Sequence, residues 1–363
     1  MRKYTLEAWT ISGSRVADIS ALAKNRKFTM QRNEAETLSF DIDVDDFEKY
    51  CLLKLGGAHP RSLILPYASD IKLKVDGEYL FGTQVVNVNF GGDETTNTAT
   101  VTCTGYLNLL NDRYVTATYT GVERTTIATN IIALTQAKPY GNLGITIGTQ
   151  HTTGLLSDRA YQNDNVKLKL QQLAALSSAP FDMQITHDKE FRTFEKIGAL
   201  RSDISLIYGG PASNVKTFGM EQSALRLYNA ITGMGSGIGE VALTSEQSDI
   251  ASMSNYYRRE KIMQYNSVKE QQTLDDNTTA YRDLHREIIE LPTAHITGNE
   301  LPATLLSVGD RLPLRAVGHT WLDSVNGLYR IEKIDVTLDD NDFESDIALT
   351  FDDYGVDQNE QDE

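Results

Sequence analysis

The sequence predicts a mainly β protein with an α+β insertion: two similar antiparallel β-barrel domains, a small α+β domain and a polar helical insertion. Three observations predict it. Apolar and polar residues alternate with a period of two over much of the chain, as in half-buried strands. Helical periodicity is confined to segments in the middle of the chain. At 363 residues, the chain also exceeds what one compact core normally holds.

The end of the chain resembles a stretch near its beginning. In each copy an Asp opens an alternating strand, a Gly lies four residues before a β-branched residue, an Asp-rich turn follows, and a further strand closes on a Tyr. Strand alternation alone fits a duplication and a coincidence equally, because any antiparallel meander breaks at Gly and Asp. The corresponding pairs are Asp70 and Asp310, Gly82 and Gly327, Val86 and Ile331, and Tyr106 and Tyr354.

The first barrel is predicted over residues 1–114. Segments 4–9, 26–31 and 37–44 alternate as strands. In the last of these segments, Phe40, Ile42 and Val44 are expected to face a core. Successive side chains leave a strand on opposite sides, so Asp41, Asp43 and Asp45 form an acidic strand edge that we predict to face a lumen or an interface.

This acidic run is not a calcium loop. The sixth position of such a loop requires Gly and the twelfth Glu, whereas Asp46 and Leu52 stand there. We therefore predict no bound metal and no cofactor.

An α+β domain is predicted over residues 115–200. Residues 123–135 place Ile127, Ile131 and Leu134 on one helical face, and 164–177 form a second amphipathic helix behind an Asp/Asn N-cap. Residues 141–149 form a short strand between these helices. The segment FDMQITHDKEFRTFEK reads as strand, tight turn and strand.

The second barrel is predicted to be split in sequence, over residues 201–240 with 291–355. Between its parts, residues 241–290 form an inserted domain with one helix that ends before Pro292. The segment GMGSGIGE at the boundary lacks the spacing of a phosphate-binding loop and indicates a hairpin or an insertion boundary. Residues 356–363 are polar and acidic and predict a disordered tail.

Composition limits the function classes. The net charge of −16 argues against a sequence-specific reader of nucleic acid, which needs basic side chains to neutralise phosphates. It permits an acidic duct that passes DNA without holding it, although solubility alone also explains such a charge. No signal peptide or membrane span is predicted. Cys51 and Cys103 lack the spacing of a disulfide framework or a zinc site.

No catalytic motif is present. The six histidines lie in loop-like or polar helical segments, and neither a GxSxG nor an HExxH motif occurs. We therefore predict that the protein is not an enzyme. Carboxylate pairs for glycoside cleavage stay open, because only their spacing in the fold identifies them.

Several segments resemble the tail hub, or baseplate hub, proteins of bacteriophages. This family includes the N-terminal hub part of tail-associated lysins and hub proteins of contractile injection systems. The resembling segments are NRKFTMQRNEAETLSFDID, in which an Arg-Asn turn lies between two strands, TGYLNLLNDRYV, APFDMQITHDKEFRTF, YGGPASNVKTF, LYNAITGMGSG, SDIASMSNYYRRE, TTAYRDLHREI, VGDRLPL and LYRIEKIDVTLD. Tyr257 departs from the pattern, since a Gly is expected there, and the sequence has no added peptidase, lysozyme or fibre domain.

The resemblance implies a structural virion protein at the tail tip or baseplate, made in the host cytoplasm. It implies a homotrimer whose two barrels per subunit form a pseudo-sixfold ring. The implied partners are the distal tail protein or tail tube ring, the tape measure protein and a central tail fibre or spike, with DNA present only in transit. The tail type and the host stay open.

Two alternatives come from other classes. One is the hub module of a tail-associated cell-wall hydrolase. The other is a host-glycan-binding β protein that uses Trp9 or Trp321 as a binding platform.

Overall fold

The structure is a computed structural model that describes residues 2–93, 96–176, 179–237, 242–265, 268 and 270–352. Strands make up 44% of it and helices 20%, which confirms a mainly β fold with α-containing insertions. Tyr354 and the predicted tail 356–363 lie outside the described residues. No helix within the described part is both long and apolar enough to cross a bilayer.

The first repeat sheet has seven antiparallel strands in the order β3-β4-β7-β6-β5-β1-β2. Helix α1 follows β4 and begins at an Asp43 cap, with Phe47 and Cys51 buried one turn apart. The elements are β1 (Tyr4–Thr10), β2 (Arg15–Asp18), β3 (Ala23–Gln31), β4 (Thr37–Asp43), α1 (Val44–Lys54), β5 (Ser69–Val75), β6 (Glu78–Gly92) and β7 (Asn97–Gly105).

The α+β unit follows with a core of its own. Ile127 and Ile131 are buried as predicted, whereas Leu134 is exposed. Asn165 caps the second helix, and residues 182–194 form the predicted hairpin. The elements are β8 (Tyr114–Glu123), α2 (Arg124–Gln136), β9 (Thr146–Ile147), β10 (Leu156–Asn165), α3 (Val166–Ala174), β11 (Asp182–Ile185) and β12 (Glu190–Phe194).

The second half of the chain interleaves a further sheet with an insertion. Its elements are β13 (Leu206–Tyr208), β14 (Thr217–Ser223), β15 (Ala230–Met234), β16 (Thr244–Ser248), α4 (Ile250–Tyr256), β17 (Glu260–Gln264), α5 (Gln271–His285), β18 (Ile289–Ile296), β19 (Arg311–Ala316), β20 (Asn326–Leu338) and β21 (Glu344–Phe351). The second repeat sheet has the order β14-β18-β21-β20-β19-β13.

Two boundaries differ from the sequence prediction. Ala230–Met234 lies in the range predicted for the second barrel, but it pairs with β16 and β17 in a separate three-stranded sheet. Helix α5 ends at His285, and Pro292 lies inside strand β18 instead of after a helix. This strand accepts a proline because Pro292 lies one residue outside the stretch that pairs with β21.

The two repeat sheets share their strand order. The path β3-β4-β7-β6-β5 matches β14-β18-β21-β20-β19, and all of these neighbours are antiparallel. Both β6 and β20 carry a one-residue bulge, at Val86 and Glu332. The match ends at the outer strand, since β13 runs parallel to β19 whereas β1 runs antiparallel to β5.

The two sheets form one continuous sheet of 13 strands rather than two separate barrels. Strand β20 pairs with β3 from Lys333–Gln31 to Thr337–Lys27. One apolar core lies behind both sheets and contains Phe28 and Val336. Among the described strands the path is open at both ends, so the two β domains do not close as barrels.

Tyr257 occupies a strained backbone position. Its φ of 61° and ψ of 173° fall in a region that is essentially restricted to glycine, the residue expected there from the hub resemblance. The buried amide of Asn229 holds this conformation by donating to the Tyr257 carbonyl oxygen at 2.8 Å. The Tyr257 residue is 86% exposed, so its side chain contributes little packing.

We expect Tyr257→Gly to raise the free energy of unfolding by about 1 kcal/mol, since relief of strain exceeds the entropy that glycine adds to the unfolded chain. Urea unfolding of the wild type and the variant measures this. Ala251→Gly, an exposed helical position in α4, is the matched control and should destabilise by about 1 kcal/mol. Equal losses at both positions would contradict strain at Tyr257.

Candidate functional site: the junction of the repeats

The predicted acidic edge is only partly a strand edge. Asp41 lies in β4 and accepts hydrogen bonds from Asn25 Nδ2 at 2.8 Å and from Thr100 Oγ1 at 2.7 Å. Asp43 caps α1 by accepting from the Asp46 N–H at 3.0 Å. Asp45 lies in the first turn of α1, so its assignment to the strand is wrong. The helix was predictable, because a capping Asp followed by acidic residues marks a helix start.

Three of the six histidines, His187, His285 and His319, stack on tyrosine rings. His187 stacks on Tyr79 with ring centres 4.4 Å apart, and His285 stacks on Tyr281 at 4.0 Å. Across the described ranges, no histidine side chain hydrogen-bonds to a serine or cysteine. Within those same ranges there is also no cluster of three or more His, Cys, Asp or Glu residues placed to hold a metal ion.

The polar groups that do converge lie where the two repeat sheets meet the α+β unit. Arg32, in the turn after β3, binds three carboxylates from distant parts of the chain. Its guanidinium lies 2.7 Å from Glu332, 3.1 Å from Asp182 and 3.0 Å from Asp352. Burial opposes its charge, but these carboxylates prevail and raise the pKa of Arg32 above its usual range.

Asp182 is the centre of this junction. One carboxylate oxygen accepts from Arg32, and the other lies 2.5 Å from the Arg330 guanidinium and accepts from the Ile197 N–H at 2.7 Å. Asn33 donates to Asp182 at 3.2 Å and accepts from the Met183 N–H at 2.7 Å. The turn that contains Arg32 and Asn33 therefore joins all three parts of the molecule.

A second cluster explains the residues that marked the first sequence repeat. Asp70 is buried, accepts from the Tyr106 hydroxyl at 3.1 Å and lies 2.9 Å from Lys189 Nζ. The Tyr106 ring packs against Gly82, where a Cβ would lie 2.6 Å from a ring carbon. Burial, together with the Asp70 charge, raises the pKa of Tyr106. Lys189 belongs to the α+β hairpin, so the cluster fastens that hairpin to the first sheet.

Asp310 makes comparable contacts between the second repeat and the α+β unit. It is buried and accepts from the Ala199 N–H at 2.8 Å and from the Ser307 N–H at 2.9 Å. Ala199 lies in the segment that leaves the α+β unit.

The two glycines of the sequence repeats do not occupy equivalent positions. Gly82 pairs with Lys72, two residues after Asp70, whereas Gly327 pairs with Leu314, four residues after Asp310.

A third cluster joins the two sheets directly. The Tyr4 hydroxyl donates to Glu344 Oε1 at 2.5 Å, and Glu344 also accepts from the Ala303 N–H at 2.9 Å. Arg26 pairs with Asp342 in the turn between β20 and β21. Burial and the neighbouring Glu344 raise the pKa of Tyr4, which keeps its hydroxyl a donor.

Glu36 makes the stability of the first sheet sensitive to pH. Its carboxylate packs against Gly105, and burial, reinforced by Glu34, raises its pKa to about 7. A carboxyl whose pKa is higher in the folded state than in the unfolded state stabilises the fold at low pH. Its contribution should decline as the pH rises from about 4.5 to about 7.

We expect Glu36→Gln to be more stable than the wild type at pH 8 and to lose the decline in stability over that range. Thermal unfolding across pH 4.5–8 measures this, with Glu48→Gln on the exposed face of α1 as the control. Parallel pH profiles for the wild type and Glu36→Gln would show that Glu36 titrates normally.

Comparisons with solved structures find proteins that are similar in fold over nearly the whole chain. The chain is similar to the tail protein from Neisseria meningitidis MC58, at a TM-score of 0.68 and 10% identity over 96% of each chain. It is similar to the 43 kDa tail protein of prophage MuSo2 from Shewanella oneidensis, at a TM-score of 0.68 and 14% identity, over 96% of this chain and 98% of the other.

It is also similar to a chain of the Francisella PdpA–VgrG complex, at a TM-score of 0.56 and 9% identity, over 98% of this chain and 58% of the other. No family model matches the sequence, and no curated protein matches it. The chain has the fold of bacteriophage tail proteins, as its resemblance to baseplate hubs predicted.

Proposed function

We propose that this chain is a structural, non-enzymatic hub protein of a phage tail tip. Its fold matches two tail proteins, one of them from a prophage, over 96% of the chain and nearly all of theirs, and this likeness carries the proposal. The polar residues that converge in the structure connect parts of the fold to one another, which is the pattern of a scaffold. In a hub of this kind, three copies assemble around the tail axis.

The duplicated sheet supports a pseudo-sixfold ring. Two repeats in each of three subunits give six similar positions, which can match a hexameric tail tube or distal tail ring on one face. The threefold symmetry is left for a central fibre or spike on the other face. The net charge of −16 suits a channel through which DNA and the tape measure protein pass without being held.

Electron microscopy and mass photometry of the purified chain, alone and mixed with tail tube protein, test this function. We expect threefold particles with a central channel that bind one end of the tube. A chain that forms no ring and does not bind tubes would contradict the proposal. Zymography on host cell walls tests the hydrolase alternative, and a lytic band would overturn the non-enzymatic assignment.

A second function, glycan binding, is favoured by one side chain. Trp321 is 82% exposed in the turn Thr320–Leu322, and exposed tryptophan rings stack on sugars. Trp9 is less available, because the Lys72 ammonium lies 4.0 Å from its ring centre and Tyr79 packs edge-on against it. Glycan-array binding that Trp321→Ala abolishes, without ring assembly, would favour this second function over the hub.

A further inference from the structure

We propose that copies of this chain join through a specific strand pairing, in which the second half of β6 in one copy pairs antiparallel with β14 of the next. The inference deepens the proposed function and rests on it only in requiring that copies associate. It follows from comparing two contacts. Strands β20 and β3 already pair within the chain and form the filled junction, whereas the corresponding edges of β6 and β14 have no partner among the described strands.

The filled junction joins β20 of the second repeat to β3 of the first. Matching strand orders make β6 the counterpart of β20, and β14 the counterpart of β3. The pairing β6 with β14 is therefore the same contact with the repeats exchanged. It is not formed within the chain among the described strands, where β6 and β14 lie on opposite sides of the filled junction in the continuous sheet.

The second half of β6 is an unprotected edge. Strand β5 pairs with β6 only as far as Gln84, so in the described strands residues 86–92 have a neighbour only on the β7 side. These residues read VNVNFGG, without a charge or a proline, in a chain of net charge −16. Exposed edge strands normally carry charges, prolines or other features that block pairing, so an edge without them is suited to pairing.

Phe90 shows what is missing at this edge. Counting from the bulges at Val86 and Glu332, Phe90 corresponds to Val336 and Val88 to Ile334. Val336 is buried by β3, whereas Phe90 is 62% exposed. Phe90 is therefore an exposed apolar side chain, whereas its counterpart Val336 is covered by β3. Strand β6 has no such neighbour on this side among the described strands.

The edge of β14 is equally regular. Its seven residues pair with β18 without a bulge, they contain neither lysine nor proline, and Glu221 is the single charged residue among them. Among the described strands, β18 is its only neighbour. Phe218 and Met220 face the core but are only partly buried, as expected of core residues beside an unfilled strand position.

The in-chain register predicts the register between copies. Phe28 pairs with Val336, and Met30 with Ile334. Cys103 and Phe351 correspond, because each pairs with the residue just before its bulge. From them, Leu38 corresponds to Pro292 and Phe28 to Met220. Phe90 should therefore face Met220, and Val88 should face Gln222.

The loop after β14 fits the same arrangement. It carries Leu225, which is 86% exposed. In the filled junction, the residue following β3, Arg32, donates its N–H to the Glu332 carbonyl. The equivalent contact would bring Ala224 and Leu225 to Val86 of the neighbouring copy. Val86 borders a cavity of about 650 Å³ between the first sheet and the α+β unit, where Leu109 and Leu143 provide apolar surface.

Paired cysteines test the register. Phe90→Cys and Met220→Cys in one chain should give disulfide-linked oligomers under mild oxidation, since directly opposed residues of antiparallel strands lie within disulfide reach. The native Cys51 and Cys103 are buried and should not contribute. Phe90→Cys combined with Leu53→Cys, an exposed position on α1, is the matched control and should not cross-link. Dimers from Phe90→Cys alone would indicate β6 pairing with β6 and overturn the inference.

Phe90→Glu tests the energetics. Because Phe90 is exposed in the single chain, the variant should keep the wild-type unfolding midpoint while association weakens at least 30-fold, as for a central interface residue. Leu53→Glu should leave association unchanged. Rings without a 90–220 cross-link would overturn the strand pairing but leave the hub function standing. Cross-linked oligomers that do not bind tail tubes would support the strand pairing and overturn the hub function. A chain that stays monomeric and forms no cross-link at any concentration contradicts the inference.

Discussion

Replacing Asp182 by alanine is expected to lower the free energy of unfolding by about 3–5 kcal/mol, the cost typical of removing one partner from a buried ion pair. Its side chain is 4% exposed, and it neutralises Arg32 and Arg330 together. Without Asp182, Arg330 loses its carboxylate partner and the Ile197 N–H loses its acceptor. Denaturant unfolding, followed by a probe in the α+β unit and another in the sheet, measures the loss.

Asp203→Ala is the control for Asp182→Ala. Asp203 also pairs with an arginine, Arg201 at 2.8 Å, but it is largely exposed, so solvent screens the pair and its removal should cost far less than the removal of Asp182. A loss of similar size for the two variants would contradict the central position of Asp182. Because Asp182 binds groups from both repeats, Asp182→Ala should also make the α+β unit more susceptible to limited proteolysis.

Gly309→Ala is expected to have the other large effect, a loss of more than about 3 kcal/mol. Gly309 has a φ of +86°, and a Cβ there would overlap the carbonyl of Ile197. A Cβ on Gly198 would in turn overlap the carbonyl carbon of Gly309. The variant would combine backbone strain with displacement of a packed main chain, in which the Gly309 N–H donates to the Ile331 carbonyl at 2.7 Å. Thermal unfolding measures the loss.

Gly318→Ala separates these two contributions. Gly318 has a φ of +80° but open space around its Cβ position, so alanine there should cost only the backbone strain of about 1–2 kcal/mol. If Gly309→Ala costs no more than Gly318→Ala, the close approach of the two chain segments contributes nothing.

The sequence predicted the elements in which the pattern of apolar and polar residues repeats within the element itself. The alternation in β4 and the helical faces of α2 and α3 follow from residues within one element, and the structure contains all three. Strand β18 was missed because Tyr281, Leu284 and Ile288 continue a helical spacing up to its first residue. Helix α1 was missed because the preceding strand ends in Asp43, which is both a strand residue and a helix cap.

The junction could not be predicted in the same way. Arg32 and Asp182 are 150 residues apart, and nothing local to either residue identifies its partner. The Asp, Gly and Tyr of the first repeat were visible as a pattern, but their common purpose depends on Lys189 from another part of the fold. The open sheet likewise follows from a pairing between β20 and β3 that joins two distant segments.

The ladder between β20 and β3 also determines which assembly sizes are possible. Since one joint between repeats is built into each polypeptide, any closed ring of these chains contains an even number of repeats. Every second joint is the β20–β3 pairing within one chain. Because its two repeats are covalently linked, this pairing forms at a high effective concentration that does not depend on the concentration of the chains. A gene that encodes both repeats therefore halves the number of encounters needed to complete a ring and excludes rings with an odd repeat count.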